Sequence, residues 1–366
     1  MREGFVLVLE NHWYTAATVD ELGDVPIGRT ICDRPMALFR DRSGAVVALN
    51  DRCPHRSAPL HLGRLEDGGL RCPYHGLLFD GSGLCIHSLH GGSGEGLRTP
   101  AYPTAEKWGF VWVWIGTKGR ADPALIPNLW YMDHPEWNSF AGHMAEPIPW
   151  QLMADNLLDL SHVPVTHANT IGASVGADAD IPLFQRTEAG IRNTLRSRNA
   201  SCPPHIARWG GFKSNINTFV IADWQPPNVI VLQVEIDNVG LVNPSEENRI
   251  GVRVGFPLTP ATENSFHHFF SWGRDFLLED QEMDIFARLS MVAVQEEDFA
   301  VIRAQATLLE QAGHPTAARY IFDGGINAAH AILDTLLRDQ ELAKGNNYET
   351  PWYLRYQDAQ VRSLVV

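Results

Sequence analysis

The stretch "CPHRSAPLHLGRLEDGGLRCPYHG", residues 53–76, holds two of the chain's five cysteines, and each is followed closely by a histidine. One residue separates Cys53 from His55, two separate Cys72 from His75, and sixteen lie between the pairs. A lone cysteine or histidine is usually a core residue or a surface imidazole. Four in two tight pairs offer soft thiolate and imidazole donors to a metal. Zinc sites typically space their first pair by about two to four residues, so Cys-x-His is tight for zinc, which remains the alternative. A [2Fe–2S] centre of mixed ligation needs two cysteines for one iron and two histidines for the other. Two loops that each supply Cys then His meet that demand, and Pro54 and Gly76 favour stiff, sharply turned loops.

At 366 residues the chain has room for two domains, or one large one, with a sizeable core. It is 45% hydrophobic and 20% charged, a globular balance. The net charge of −14 argues against nucleic acid or an anionic membrane surface as a partner. No stretch approaches the roughly 18 apolar residues of a membrane span. The opening MREGFVLVLENHW has too short an apolar run and too early an acidic residue for a signal peptide. These features predict a cytoplasmic protein, with no membrane and no nucleic acid among its partners. An odd number of cysteines, at 32, 53, 72, 85 and 202, argues against a disulfide scaffold.

Outward from the opening stretch, residues 1–125 read as an all-β domain. Two strand-like runs, GRTICDRPMALFRD and GAVVALNDRCPHR, flank a hairpin signal at Asp41–Gly44. GFVWVWIG (109–116) is a continuous aromatic and β-branched run, the pattern of a strand buried on both faces. HGGSGEG (90–96) lacks the flanking strand and helix of a nucleotide-binding GxGxxG motif and reads as a loop. ADPALIPNL (121–129) is the boundary candidate. Beyond it, PWQLMADNLLDLSH (149–162) has helical spacing and opens on proline, and strand-like runs fill 217–273. Further helices are predicted at 278–312 and 326–342. The expectation is α+β, a small all-β domain followed by an α+β domain.

A small iron–sulfur carrier would end near residue 115, so the remaining chain should do more than carry electrons. DNLLDLSHVPVTH (155–167) places Asn156, Asp159 and His162 at i, i+3 and i+6, on one face of the predicted helix. Pro164 biases Val163 away from helical geometry, so the helix is expected to end there and His167 to swing back beside His162. Two histidines and one carboxylate leave positions on Fe(II) open for dioxygen. His-x4-His alone is equally the pattern of two unrelated histidines. QEEDFAVIRAQ (295–305) offers Glu296, Glu297 and Asp298 as the carboxylate, and helical geometry does not choose among them.

Cys53-Pro-His55 and Cys72-Pro-Tyr-His75-Gly76 resemble the motif of the Rieske non-haem iron oxygenases. Respiratory-chain Rieske proteins carry an extra cysteine in each loop; Tyr74 stands where the second would fall, and Cys85 reads as a small apolar residue. The run 156–167 is similar to the N-L-x-D-x-x-H-x4-H segment of the vanillate and dicamba O-demethylase group. With ADPALIPNL and FDGGINAAHAILD (322–334), the resemblance spans nearly the whole chain. It implies a Rieske domain (1–125) holding a [2Fe–2S] cluster through Cys53, His55, Cys72 and His75. It implies a helix-grip catalytic domain (126–366), an antiparallel sheet with helices, holding mononuclear Fe(II) through His162, His167 and Asp298, the Asp of an E-D-x6-Q pattern. Asp159 is then no ligand: it accepts a hydrogen bond from His162 and, across the boundary of a homotrimer, from a neighbour's His75. Asp159 and Asn156 are the catalytic candidates.

The implied activity is O2- and NAD(P)H-dependent oxidative demethylation, or methyl hydroxylation, of a small aromatic compound. The alternatives are a ring cis-dihydroxylating dioxygenase with the same metals and a non-catalytic zinc module. Without a nucleotide motif of its own, the chain needs an NAD(P)H-dependent flavin reductase, a ferredoxin, or both. His267 matches a position that resembles a substrate-binding histidine of the group, with His268 on the opposite strand face. Trp272, Asn217 and Trp224 are further pocket candidates, and Arg208 is the candidate for a substrate carboxylate. SCPPHIARWGGFKSNIN (201–217) departs from the vanillate demethylases and would shape the pocket.

Overall fold

The computed structural model describes residues 8–89, 91, 94, 96–175, 179–239, 249–315, 318 and 320–355. Within the run 90–96, His90, Gly92, Ser93 and Glu95 lie outside the described residues, as do residues 1–7 of the opening segment. Two compact units account for the chain. The first takes the described residues within Met1–Asn128, Ala141–Glu146 and Thr259–Phe269; the second takes those within Leu129–Phe140, Pro147–Leu258 and Phe270–Val366. After leaving the first unit at Asn128, the chain therefore returns to it twice, through segments that lie in strands and that no shift of composition marks.

The first unit is built of strands. β1 (His12–Thr18), β2 (Ile27–Ile31), β3 (Arg34–Arg40) and β4 (Val46–Asn50) precede four short ones, β5 (Arg64–Glu66), β6 (Gly69–Arg71), β7 (Leu78–Phe79) and β8 (Cys85–His87). β9 (Ala101–Tyr102), β10 (Thr104–Lys107) and β11 (Phe110–Ile115) follow. They form three sheets, ordered β1-β11-β10, β2-β3-β4-β9 and β5-β6-β7-β8. The turn expected at Asp41–Gly44 joins β3 to β4; the Asp41 carboxylate accepts from Ser43 N, an Asx turn. All six residues of β11 are buried, as its composition predicts. Phe39, Leu60, Leu70 and Phe79 pack around Cys53 and Cys72, so the cysteine loops rest on a core of their own.

The second unit is a curtain of strands carrying helices. Its elements, with Ala141–Glu146 of β12 and the β17–β18 stretch Thr259–Phe269 counted in the first unit, are β12 (Asn138–Glu146), α1 (Trp150–Leu158), α2 (Val163–Thr166), β13 (Leu183–Arg186), β14 (Ile191–Ala200), α3 (Pro204–Gly210) and β15 (Ile216–Gln225). β16 (Val229–Asn238), β17 (Arg249–Thr262), β18 (Ser265–Arg274), α4 (Gln281–Gln311) and α5 (Gly324–Ala343) complete it. The sheet runs β12-β18-β17-β16-β15-β14-β13, antiparallel from β13 to β17. Along β15 every second residue is buried, from Ile216 to Trp224. α1 packs on β15 and β16, and α5 on β13 and β14. α4 begins where the Asp280 carboxylate caps Met283 N at 3.0 Å. The fold is α+β, as expected.

One helix differs from its expectation. α1 ends at Leu158, not at Val163, because Asp159 leaves helical geometry at φ −87°, ψ 91°. Pro164 does not terminate that helix; it sits in the first turn of α2, where its missing N–H costs nothing. The end of α1 is held from β14: the buried Asn193 donates to Leu158 O at 2.7 Å. Gly325 of α5 makes room for that amide, since a Cβ there would stand 2.1 Å from Asn193 Oδ1. The Gly-Gly step of the late segment thus has a packing reason.

An exposed helical Gly→Ala change ordinarily stabilises, by up to about 1 kcal/mol. Gly325→Ala is expected to do the reverse, destabilising by about 1–3 kcal/mol as Asn193 is displaced from Leu158. Thermal unfolding would check this. In an Asn193→Ala background the same change should cost nothing; an unchanged penalty there would show that Asn193 is not the obstacle.

Candidate metal centres

The two cysteine–histidine loops are built alike. Cys53 O accepts from Ser57 N while Cys53 N donates to Ala58 O; Cys72 O accepts from Gly76 N while Cys72 N donates to Leu77 O. The fourth residue after each cysteine is left-handed, Ser57 at φ 54° and Gly76 at φ 70°. Glycine takes that conformation freely, whereas Ser57 does so against its Cβ. Cys53 and Cys72 are buried beside one another, and the rings of His55 and His75 stand 4.5 Å apart. Next to Cys72, the buried Arg71 donates to Gly76 O at 2.5 Å and pairs with Glu66 at 2.5 and 2.6 Å, which fixes the second loop. None of the five cysteines is in a disulfide, and Cys85 is buried in the apolar core, as expected.

Burial above all, with the Cys72 thiol beside it, pushes the Cys53 thiol up to about 11. Two buried thiols in contact become thiolates only against a cation. With two imidazoles alongside, the set suits a [2Fe–2S] cluster of mixed ligation.

In the second unit, the turn after α1 and the middle of α4 bring three donors together. His162 Nε2 and His167 Nε2 are 3.3 Å apart, and Asp298 Oδ1 lies 3.4 Å from the first and 3.2 Å from the second. Donors about 2.1 Å from one ion stand about 3.0 Å apart at a right angle and about 3.4 Å apart at a tetrahedral one. Each histidine spends its other nitrogen on an oxygen: His167 Nδ1 donates to Glu297 Oε2 at 2.8 Å, and His162 Nδ1 donates to the Asp159 main-chain carbonyl. The ring protons therefore sit on Nδ1, and both Nε2 lone pairs turn inward. Burial opposes charge on Asp298 and His167 alike. Even so, the two histidines hold the Asp298 carboxyl well below its usual range, and Asp298 and Glu297 hold the His167 imidazole above its own. The three donors fit a divalent transition metal with open coordination positions.

The three acidic residues of α4 separate by position. Asp298 is buried at the triad, Glu297 accepts from His167 and from Thr170 Oγ1 at 2.7 Å, and exposed Glu296 pairs with Arg303 at 3.0 Å. Asn156 Nδ2 donates to Asp298 Oδ1 at 3.0 Å, so it braces the carboxylate. The expected bond from His162 to the Asp159 carboxylate takes another form. His162 bonds the Asp159 carbonyl, while the carboxylate Oδ1 accepts from Ser161 N at 2.8 Å and Ser161 Oγ at 2.5 Å. The cause is the early end of α1, which turns that carbonyl toward His162.

The pocket candidates are placed differently. His267 belongs to the first unit, with Nδ1 3.0 Å from His143 Nε2 and Nε2 bonded to Thr30 O at 3.1 Å. Burial, helped by nearby His143 and Arg29, lowers it to about 4. Asn217 lies on the β15 face opposite Thr218 and Trp224 and bonds Asp237 at 2.8 Å. Trp272 is buried against Phe140, Trp224 lines a small pocket with Trp150, Leu158 and His330, and Arg208 is an exposed partner of Glu282 at 2.9 Å. None of these four second-unit residues bonds the triad among the described residues. Sequence reading weighed Glu297 only as a ligand, and it missed Ser57 altogether. For Glu297 the signal was present in its adjacency to Asp298; for Ser57 there was none.

Residues 148–339 match the vanillate O-demethylase oxygenase C-terminal domain, more than half of the chain, and residues 12–94 match the Rieske [2Fe-2S] domain. The chain is a Rieske non-haem iron oxygenase. It is 32% identical over 345 residues to the vanillate O-demethylase oxygenase subunit of Pseudomonas sp. strain HR199, covering 91% of this chain and 96% of that protein. It is also 32% identical over 345 residues to the toluene-4-sulfonate monooxygenase system iron-sulfur subunit of Comamonas testosteroni, covering 91% and 98%. The crystal structure of dicamba monooxygenase bound to 3,6-dichlorosalicylic acid superposes with a TM-score of 0.85 at 30% identity, over 92% of this chain and 99% of that one. The Rieske oxygenase carries a [2Fe–2S] cluster and a mononuclear iron, and as an oxygenase component it takes electrons from a separate donor.

Asp298→Ala is expected to lose the mononuclear iron and all turnover while keeping the cluster absorbance, because two histidines alone chelate Fe(II) too weakly. Glu296→Ala should keep both metals. Iron and acid-labile sulfide analysis reads both variants. Cys72→Ser should bleach the cluster, and colour that survives would exclude that cysteine from ligation.

Proposed function

We propose that this Rieske oxygenase oxidises a methyl carbon on a small, anionic methoxy- or methyl-arene, using O2 and electrons that originate in NAD(P)H. The observation that carries the reading is the convergence of His162, His167 and Asp298 in a chain of vanillate O-demethylase type. The relatives supply the substrate class: vanillate and dicamba are methoxylated aromatic carboxylates, and toluene-4-sulfonate is a methylated aromatic sulfonate. For a methoxy-arene, O2, two electrons and two protons yield a hydroxymethyl ether and water. The ether then collapses to a phenol and formaldehyde.

In this proposal Cys53, His55, Cys72 and His75 hold the cluster, and His162, His167 and Asp298 hold the iron. When bound, the cluster passes electrons singly and the iron activates O2 beside the substrate. Asn156 keeps the Asp298 carboxylate aimed inward through its 3.0 Å bond. The Asp159 carbonyl and Glu297 fix the two rings in the tautomer that leaves Nε2 free. Burial of His167 and Asp298 keeps bulk water from one side of the centre.

The donor is proposed to be an NAD(P)H-dependent flavin reductase, with or without a ferredoxin. We further propose a cytoplasmic homotrimer in which Asp159 links to His75 of a neighbouring subunit. Both bonds described for its carboxylate fall on Oδ1, which leaves Oδ2 for that contact. Among the described residues no helix is long and apolar enough to cross a membrane.

An ¹⁸O2 experiment with a surrogate reductase, and with vanillate and dicamba as probes, tests the reaction. Formaldehyde should form one-for-one with O2 consumed, carrying the label if trapped before exchange, with an unlabelled phenol. A doubly labelled cis-diol without formaldehyde would mean ring dihydroxylation instead, and a stable hydroxymethyl product from a methyl-arene would narrow the substrate. Asp159→Asn should keep both metals yet slow electron transfer from cluster to iron. Mixed trimers with a His75→Ala chain should recover part of the turnover, and absence of recovery would argue for transfer within one chain.

A further inference from the structure

We infer that Glu297 sets the affinity of the mononuclear centre for its metal, acting through His167 as a positioning residue that does not touch the ion. The inference rests on the metal-site assignment and is independent of the substrate.

The two histidines of the triad are not equivalent. The Nδ1–H of His162 meets a neutral main-chain carbonyl, whereas that of His167 meets a carboxylate at 2.8 Å. A carboxylate acceptor draws the ring proton toward itself and leaves more electron density on the opposite nitrogen, so His167 is the stronger donor. The geometry that delivers this is constrained on both sides. Thr170 Oγ1 donates at 2.7 Å to the same Glu297 oxygen, and Thr170 N donates to His167 O at 3.0 Å, so the loop 167–170 closes around the carboxylate. From α4, adjacent residues divide the work: Asp298 offers Oδ1 directly to the triad, and Glu297 reaches the far side of the imidazole. His167 is almost wholly buried, so this carboxylate acts across a poorly screened space. Asp298 and Glu297 together offset the two positive charges of a divalent ion, and no further side-chain carboxylate bonds either histidine among the described residues.

The test is a metal-binding measurement, not an assay of turnover. Protein depleted of mononuclear iron, with the cluster retained and checked by its visible absorbance, is titrated anaerobically with Fe(II) against a competing chelator. Glu297→Gln keeps an acceptor for His167 but removes the charge, and it is expected to weaken Fe(II) binding about 10-fold. Glu297→Ala removes the acceptor as well and is expected to weaken it about 100-fold. Thr170→Val leaves the charge in place and should change affinity by less than about 3-fold. Unaltered cluster absorbance and thermal unfolding in each variant show that the fold is intact. Wild-type affinity in both Glu297 variants would overturn the inference. Complete loss of binding in Glu297→Gln, as in Asp298→Ala, would overturn it differently, by making Glu297 a ligand. Normal Fe(II) binding by Asp298→Ala would strike instead at the metal-site assignment beneath it.

Discussion

Two imidazole nitrogens and a carboxylate oxygen, all within 3.4 Å of one another, form an arrangement that a folded chain does not hold for its own sake. Each atom presents a lone pair, each ring proton is committed on the far side, and two of the three side chains are nearly inaccessible to water. Buried acceptors that face each other cost free energy relative to hydration, and here the Asn156 amide donates only to Asp298 Oδ1. A single proton relieves one pair of them, which is why His167 rises and Asp298 falls from their ordinary ranges. A divalent cation satisfies all three at once. The rest of the second unit can be understood as the scaffold that keeps this costly geometry from relaxing.

That scaffold works by stopping a helix at the right residue. Had α1 continued to His162, the Asp159 carbonyl would have joined the helical ladder and could not have oriented the imidazole. Leaving the helix at Asp159 frees the carbonyl, and the Asp159 carboxylate then pins the turn through Ser161. From the sheet, Asn193 holds the last turn of α1, and α5 approaches closely enough only because Gly325 has no side chain. One strand, three helices and one turn therefore meet at a site that involves only two loop histidines and one helical aspartate.

Much of this was legible in the sequence, for a physical reason. Alternation in β15, the aromatic run of β11 and the amphipathic lengths of α4 and α5 are read locally, since each reports which face its own element buries. The candidate metal donors could be picked out because their chemistry is rare and their spacing short, except that Asp298 needed the family pattern to separate it from Glu296 and Glu297. What failed was non-local. The end of α1 is held by Asn193, some thirty-five residues downstream, and lies ahead of the proline at 164 that the local pattern points to. The pocket candidates rested on strand position alone, and β15 turns Asn217 to the face opposite Trp224 while Trp272 packs on Phe140. Ser57 was invisible because a left-handed serine has no compositional signature.

The two metal centres answer opposite requirements with opposite construction. The cluster must accept electrons from outside the chain, and of the residues proposed to hold it the cysteines are sunk in a core while His55 stands exposed. Two loops with the same hydrogen-bond pattern meet there, and near-equivalence of the loops suits a cofactor whose two irons each take a matched pair of ligands. The iron must instead keep its chemistry apart from water, and its proposed ligands come from unlike sources: the two residues that flank the short helix α2 and the middle of a long helix. Unlike sources permit unlike neighbours. A carbonyl supports one histidine, a carboxylate the other, and an amide steadies the aspartate. Symmetry suits a centre that only stores and passes charge, whereas a centre that must bind O2 on one open side gains from ligands whose donor strengths are set separately.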